Sequence, residues 1–275
     1  MLNNYTKRTL LREVLLGLLA ALWWVPFYVL VSTSLKTAGE TYGNALALPG
    51  HPTGDSYAQA WGQGDLGHAL LSSCIITVGT VVVLILLAPP AAYVIARRGG
   101  RLGSLFYVLS LIGIILPFQL AVVPLYSALN AVGLVGSYAG MILLYVALLL
   151  PLAVFLYTGF IRALPRDYEE AASVDGASQY TVLRRIVLPL LGPITATVGI
   201  LAAIIIWNDF FVQLIFVGGT QYQTLPVAIY SFVGQYASQW NVVFAAIAIS
   251  ILPVLVFYII AQKQLIRGFT GGVKA

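Results

Sequence analysis

A polar segment at residues 165–177 has the residue types and spacing best suited to recognising another protein. Asp167 lies near its start and Glu170 follows three residues later, as in a capping box. Acidic side chains also favour the positive N-terminal end of a helix. A short helix capped by Asp167 is therefore predicted here, running to about Val174.

The dipeptide Asp175-Gly176 is predicted to end that helix. Glycine accepts a left-handed backbone that costs a residue with a side chain about 1–2 kcal/mol. A second short helix is predicted from about Ser178 through Arg185 towards Pro189. Two short helices joined by a tight turn form an elbow that would fit a groove on a partner.

Small side chains accompany the predicted elbow. Ala171, Ala172 and Ala177 leave room for the backbone of another protein to approach closely. The spacing alone leaves two interpretations open, a docking site or a solvated helix–turn–helix loop.

Asp209 is the one charged residue inside a predicted apolar span. A lone carboxylate at the centre of a bilayer costs about 2.5–3.5 kcal/mol, so it should face protein or water. It could carry a proton or contact a substrate. Alternatively, it could form hydrogen bonds with Trp207 and Asn208 at a break in the helix. We favour this structural or gating role, because polar groups beside a break satisfy the freed backbone groups.

The sequence contains no residue pattern typical of an enzyme or a metal site. Its lysines follow Thr6, Leu35, Gln262 and Val273. A Walker A phosphate-binding loop needs Gly before its Lys, so none is present. Cys74 is the single cysteine, and His51 and His68 have no ligand-type neighbours at metal spacing. The chain is therefore predicted to be no enzyme and to hold no metal or cofactor of its own.

The composition indicates membrane-spanning helices, and these helices must position the polar residues described above. Hydrophobic residues make up 60% of the chain and charged residues 8%, against about 25% charged in soluble domains. Apolar runs of about 20 residues suffice to cross a bilayer. We predict an all-α polytopic membrane protein with six transmembrane helices. They are placed at residues 14–33, 69–96, two within 102–161 joined near 130–137, 186–217 and 242–261.

Lys and Arg predict the orientation of these spans, because positive residues in short loops stay in the cytoplasm. All of them except Lys36 fall in the two terminal segments or in the loops after the second and fourth spans. Both termini and the loop at about 163–187 are therefore predicted to be cytoplasmic, with an outer loop at about 34–68. The net charge of +5 is explained by this orientation, without a nucleic-acid partner. No repeat or linker divides residues 1–275, which are predicted to form a single transmembrane domain.

The elbow resembles the EAA loop of bacterial ATP-binding-cassette importer permeases. The matching residues are Glu170-Ala171-Ala172, Asp175-Gly176-Ala177, Arg185-Ile186, Leu188-Pro189-Leu190 and Pro193, with Trp207-Asn208-Asp209-Phe210 and Thr224-Leu225-Pro226 beyond the elbow. The resemblance extends over nearly the whole chain. It points to the sugar importer branch, in particular the smaller permease subunit of maltose-type systems, and implies a type I ABC importer-like permease fold.

By this resemblance the elbow inserts into a cleft on a nucleotide-binding subunit. Glu170 would be the principal polar contact, Gly176 the turn, and Ala171 and Ala172 the close-packed face. The remaining coupling residues would be Asp175, Ala177 and Arg185. Trp207, Asn208 and Asp209 would belong to the translocation path or its gate.

The resemblance also implies the partners and the location. These are a second homologous permease subunit forming a heterodimer, a dimer of ATPase subunits carrying ATP and Mg, and an extracytoplasmic sugar-binding protein met by outer segments near 56–61 and 221–239. The chain would lie in the bacterial inner membrane and import an oligosaccharide or related sugar. The alternative is an ion-coupled secondary transporter or channel subunit, which would need several buried ionisable residues and leaves the elbow unexplained.

Overall fold

The computed structural model describes residues 7–63, 65–235 and 239–270. This part of the chain consists of helices joined by loops, without a β-strand. It divides into two compact units. The first contains the residues up to Gly67 together with Ala228–Val254, and the second contains His68–Val227 and the residues from Leu255. The end of the predicted outer segment at residues 236–238 and the tail with Lys274 lie outside the described residues.

The first unit is built from long apolar helices and a structured loop. Its helices are α1 (Lys7–Ser34), α2 (Asp55–Gln63), most of α12 (Leu225–Gln235) and the first half of α13 (Trp240–Thr270). In α1, residues Thr9–Ser34 have a mean hydropathy of 2.3, and their side chains up to Val31 are largely exposed. Such a surface is suited to lipid or to another membrane helix.

Two charged side chains organise the loop after α1. Lys36 is 2% exposed and donates from Nζ to the carbonyl oxygens of Asn44 (3.0 Å) and Ala45 (3.2 Å). Glu40 accepts from the backbone N–H groups of Thr37, Gly50 and His51 at 3.1–3.3 Å. These bonds, the one from Thr37 first, hold the pKa of Glu40 below its usual value. The lone cation of this loop is thus part of its scaffold.

The second unit contains the remaining helices. They are α3 (Leu66–Arg98), α4 (Gly100–Ile115), α5 (Val122–Ala131), α6 (Tyr138–Ala163), α7 (Asp167–Val174), α8 (Gln179–Val182), α9 (Leu188–Leu190), α10 (Gly192–Asn208) and α11 (Phe211–Val217). Ser137 caps α6, its Oγ accepting from the N–H of Gly140 at 3.1 Å. Glycine at position 113 lets α4 pack closely on α6. A Cβ added at Gly113 would lie only 3.3 Å from the ring of Pro151 in α6.

Two apolar clusters form the core of the second unit. One gathers Leu84, Ala88, Ala92 and Ile95 of α3 with residues of α6, α8 and α10. The other joins Ile76 of α3 to the start of α6 and to α11. Helices α3, α6 and α10 contribute to both clusters, so these three helices connect the two parts of the core.

The segments predicted to span the membrane are helical, with bends that the apolar pattern did not reveal. Among the described residues, three helices are long and apolar enough to cross a membrane, or up to five if each of two bent pairs is one span. The predicted sixth span lies within α13. The break between the third and fourth spans falls at residues 132–137, as predicted.

Two bends correct the predicted helix boundaries. The third span bends by 97° between Ile115 and Phe118, where Leu116 is extended (φ −64°, ψ 130°) because Pro117 disfavours the helical conformation of its predecessor. The fifth span was predicted to continue from residue 186, but the chain bends by 69° at Leu191 before α10 begins. The later break after Asn208 agrees with the predicted one.

Candidate functional site: the two-helix elbow

The elbow, defined here as residues 167–190, begins with α7. The predicted extent to Val174 is correct, but Asp167 is not the cap. Arg166 occupies the N-cap position without a side-chain cap bond, and Asp167 already lies in the first helical turn. Three acids in that turn, including Glu169 and Glu170, interact favourably with the helix dipole instead.

The turn after α7 has the hydrogen bonds of a Schellman motif. The N–H of Ala177 donates to the carbonyl of Ala172 at 2.9 Å, and the N–H of Gly176 donates to that of Ser173 at 3.1 Å. Gly176 has φ +81°, the left-handed region, and a Cβ there would meet no atom within 4 Å. Backbone conformation, rather than space, therefore explains glycine at this position.

The second arm of the elbow starts at a capped helix. Ser178 Oγ accepts from the N–H of Thr181 at 3.3 Å and caps α8, close to the predicted start. A π-helical turn over Leu183–Val187 follows and leads into α9. Such turns are frequent at functional sites.

The predicted coupling residues divide between two faces of the elbow. Glu170, Ala171, Asp175, Gly176 and Arg185 are exposed. Ala172 and Ala177 are half-buried and pack against the chain's own core. Because these two side chains are small, the elbow packs closely on the core of its own unit. Their spacing in the sequence did not indicate this role.

Three exposed apolar side chains on the elbow were not predicted as site residues. Val174 is 88% exposed at the end of α7, Tyr168 is 56% exposed, and Tyr180 is 68% exposed. They add exposed apolar surface to a segment whose other exposed groups are mainly polar or charged. An apolar residue directly before a helix-ending Asp-Gly was the available sequence signal.

A hydrogen-bonded ion pair joins the elbow to the end of α3. Arg97 Nε donates to Glu169 Oε1 at 2.7 Å, and the two side chains are 9% and 15% exposed. The second carboxylate oxygen accepts from the Tyr93 hydroxyl at 3.0 Å, and Arg97 also donates to the Leu164 carbonyl at 3.0 Å. Beside the pair, Arg98 donates to Gln179 Oε1 at 2.6 Å. The side chains of Tyr93, Arg97, Arg98, Glu169 and Gln179 border a cavity of about 230 Å³.

Asp209 lies at the predicted helix break, as the residue after α10. Its Oδ2 accepts from the hydroxyl of Tyr145, 1% exposed, at 2.8 Å. Its Oδ1 accepts from the N–H of Val212 at 3.3 Å, in the first turn of α11. Trp207 is half-buried, and Asn208 is exposed with its side chain donating to the Ile204 carbonyl. Asp209 is thus held by protein groups on both oxygens.

A second polar group stabilises the same break from inside. Gln213, 1% exposed, donates to the Ile206 carbonyl at 2.7 Å, and its side-chain oxygen accepts from the Thr224 hydroxyl. The N–H of Leu225 donates to Ser73 Oγ of α3 at 2.9 Å. Two backbone groups at the break, the Ile206 carbonyl and the Val212 N–H, therefore have side-chain partners within the protein.

The elbow and the helix break differ in the groups that they present. Within residues 7–63, 65–235 and 239–270, no group of three or more His, Cys, Asp or Glu side chains could hold a metal ion. The elbow presents an exposed carboxylate, exposed apolar side chains and a turn closed by two backbone hydrogen bonds. The broken helix offers a fixed bend within an apolar segment.

The fold and the elbow define an all-helical membrane protein with an exposed polar two-helix segment between apolar helices. Residues 88–270 match the family described as the inner membrane component of binding-protein-dependent transport systems. The chain therefore belongs to this family, which confirms the resemblance drawn from the EAA pattern.

Similar proteins support the family assignment over the full length. The chain is 35% identical to the melibiose/raffinose/stachyose import permease protein MelC of Bacillus subtilis, over 97% of each chain. It is 32% identical to a probable starch degradation products transport system permease protein, AmyC of Thermoanaerobacterium thermosulfurigenes, over 94% of each. A chain in the crystal structure of a bacterial ABC transporter involved in alginate import shares the fold, with a TM-score of 0.81, 22% identity, and coverage of 94% of this chain and 98% of that one.

Proposed function

We propose that this chain is a permease subunit of an ATP-driven carbohydrate importer and forms half of the translocation path. The exposed elbow carries the proposal: it presents Glu170 and Val174 to a partner on a rigid scaffold. The carbohydrate class rests on relatives whose names describe permeases for melibiose, raffinose and stachyose and for starch degradation products.

The elbow docks on a nucleotide-binding subunit in this proposal. Glu170 makes the principal polar contact, with Asp175 and Arg185 as further exposed charges. Gly176 sets the angle between the arms, and Ala171 is a small exposed surface for close approach. Ala172 and Ala177 hold the elbow against its own unit, as their packing on the core indicates.

The partners and the topology follow from the same proposal. Six spans, with both termini inside, leave the elbow in the cytoplasm, where a dimer of ATPase subunits binds ATP and Mg and carries out all hydrolysis. A second homologous permease completes a heterodimer of type I importer architecture, and a sugar-binding protein delivers cargo on the outer side. The complex lies in the bacterial inner membrane, and residues 1–275 act as one permease domain.

The ion-coupled alternative has less support. An ion-coupled transporter would need several ionisable residues within its spans, whereas Asp209 is the one charged residue inside the predicted spans, and Tyr145 and Val212 already donate hydrogen bonds to its carboxylate. We assign Trp207, Asn208 and Asp209 to the bend of the translocation path and its gating.

Copurification tests the proposed docking site. The chain, tagged and expressed in its own bacterium, should retain an ATPase after detergent extraction, and Glu170→Lys should remove it by placing a cation where the partner meets a carboxylate. Asp55→Lys is the matched control, because Asp55 is also an exposed acid in a first helical turn but belongs to the predicted outer loop. An ATPase that stays bound to Glu170→Lys, or is lost equally from both variants, would refute this docking assignment.

A further inference from the structure

The end of α3 contacts the elbow although the two segments are distant in sequence. Arg97 and Glu169 are 72 residues apart, with α4, α5 and α6 between them. The elbow is continuous in the chain with α6 before it and α10 after it, so motion reaches those helices directly. Motion reaches α3 only through contacts in space.

Two adjacent arginines supply polar contacts to both arms of the elbow. Arg97 binds Glu169 of α7, and Arg98 binds Gln179 of α8, on the far side of the Gly176 turn. Arg97 additionally holds the Leu164 carbonyl, just before α7. The end of α3 therefore contacts three places: Leu164 just before the elbow, Glu169 on the first arm of the elbow, and Gln179 on the second arm.

The attachment through Arg97 is built to persist when the elbow moves. Both Glu169 oxygens and two nitrogens of Arg97 are engaged, and the pair is largely shielded from water. Charge-assisted hydrogen bonds of this kind are stronger than neutral ones, and separating shielded charges leaves each uncompensated. The pair should therefore move as one body with the elbow.

The neighbouring residues Glu169 and Glu170 of α7 therefore have different roles. Glu170 is exposed and available to a partner, whereas Glu169 is directed towards Arg97 and Tyr93 of the chain's own α3. We propose that Arg97, Glu169 and Arg98 form a clamp that transmits displacement of the elbow to α3. They are positioning residues that act through α3 and touch neither cargo nor nucleotide. This inference rests on the proposed function, since it assumes that a partner displaces the elbow.

The test uses the complete transporter reconstituted in vesicles with its ATPase, second permease and binding protein. Arg97→Gln and Glu169→Gln should still copurify with the ATPase, because Glu170 is intact, while cargo uptake per ATP hydrolysed falls about 5-fold or more, the lower range of allosteric coupling. The double variant should be no worse than either single one, because both remove the same contact. Arg97→Lys should recover part of the ratio. Uptake per ATP unchanged in both single variants would overturn the clamp.

A distance measurement keeps the test decisive if a variant fails to fold. In a Cys74→Ser background, spin labels at Val94 on α3 and Asp167 on α7, both exposed, report the separation of the two helices in the assembled transporter. The clamp predicts the same separation without nucleotide and with ATP bound. A separation that changes on ATP binding would overturn it. Failure of the unmodified chain to bind any ATPase would instead refute the proposed function.

Discussion

Gly176 shows how one residue sets the geometry of the elbow. Its positive φ of 81° lets the N–H groups of residues 176 and 177 turn back onto α7. Any other L-residue enters this region at a cost, although Asn does so more readily. A Cβ added at Gly176 would meet no atom of this chain within 4 Å. Within the chain, a substitution there therefore acts through the backbone conformation.

Gly176→Ala should destabilise the elbow by about 1–2 kcal/mol and weaken ATPase binding. Gly159→Ala in α6 is the matched control, because a Cβ added there would also meet no atom within 4 Å but the φ of Gly159 is not positive. That change should be neutral or stabilising, since Ala restricts the unfolded chain. Thermal unfolding and ATPase copurification would measure both effects.

Gly176→Asn provides a second check at the same position, since Asn tolerates the left-handed region better than Ala. The Gly176→Asn chain should retain more copurified ATPase than the Gly176→Ala chain. Equal loss from the Ala and Asn variants, or no loss from either, would contradict a backbone role for Gly176. A bulkier Gly176→Val protein with normal transport would contradict it as well.

At the scale of the element, the break between α10 and α11 depends on the Tyr145–Asp209 hydrogen bond. Tyr145→Phe and Asp209→Ala should each destabilise the protein by about 1–3 kcal/mol, since each leaves a shielded polar group without its partner. The double variant should cost less than the sum, because both changes remove one contact. Thermal unfolding in detergent would give the values.

A matched tyrosine separates this coupling from general loss of packing. Tyr157 is also fully buried, but its hydroxyl donates to Thr195 rather than to Asp209. Tyr157→Phe combined with Asp209→Ala should therefore be additive. Equal non-additivity for Tyr145 and Tyr157 would argue against a specific bond at the break.

The loop after α1 should respond to acid through Glu40. Its carboxylate form accepts three backbone N–H groups, which lowers its pKa from the ordinary 4.5. The stabilisation is therefore complete above the ordinary value and is lost as the pH falls through the lower folded pKa. Pepsin cleavage within residues 34–63 should rise steeply at low pH.

Glu40→Gln should abolish most of that pH dependence, because Gln does not ionise. Asp55→Asn, at an exposed acid of the same loop, should leave the pH dependence intact. Identical acid profiles for the unmodified chain and Glu40→Gln would show that another group controls the loop.

Local chemistry made several elements predictable from the sequence, and others depended on contacts distant in the chain. Gly176 and the acids of α7 predicted the first arm and its end. Apolar runs predicted where helices lie, but the bend before Pro117 was missed because prolines such as Pro151 also occur inside these helices. The Arg97–Glu169 pair was unpredictable, since no local pattern connects residues 72 positions apart.

At the scale of the whole molecule, the positive residues predict which ends of the helices face the cytoplasm. A reporter enzyme fused after Gly50 should be active outside the cytoplasm, and one fused after Ala163 should be active inside, because almost all Lys and Arg lie on the predicted inner side. A cytoplasmic Gly50 fusion would invert the topology and remove the elbow from any ATPase.

The energy source of transport tests the central claim most directly. Vesicles containing the chain with its copurified partners, and its binding protein added outside, would be supplied with labelled oligosaccharides from a defined panel. Uptake should require enclosed ATP and Mg and should persist when ionophores collapse all ion gradients. Uptake driven by a proton or sodium gradient without ATP would contradict the account and favour an ion-coupled transporter.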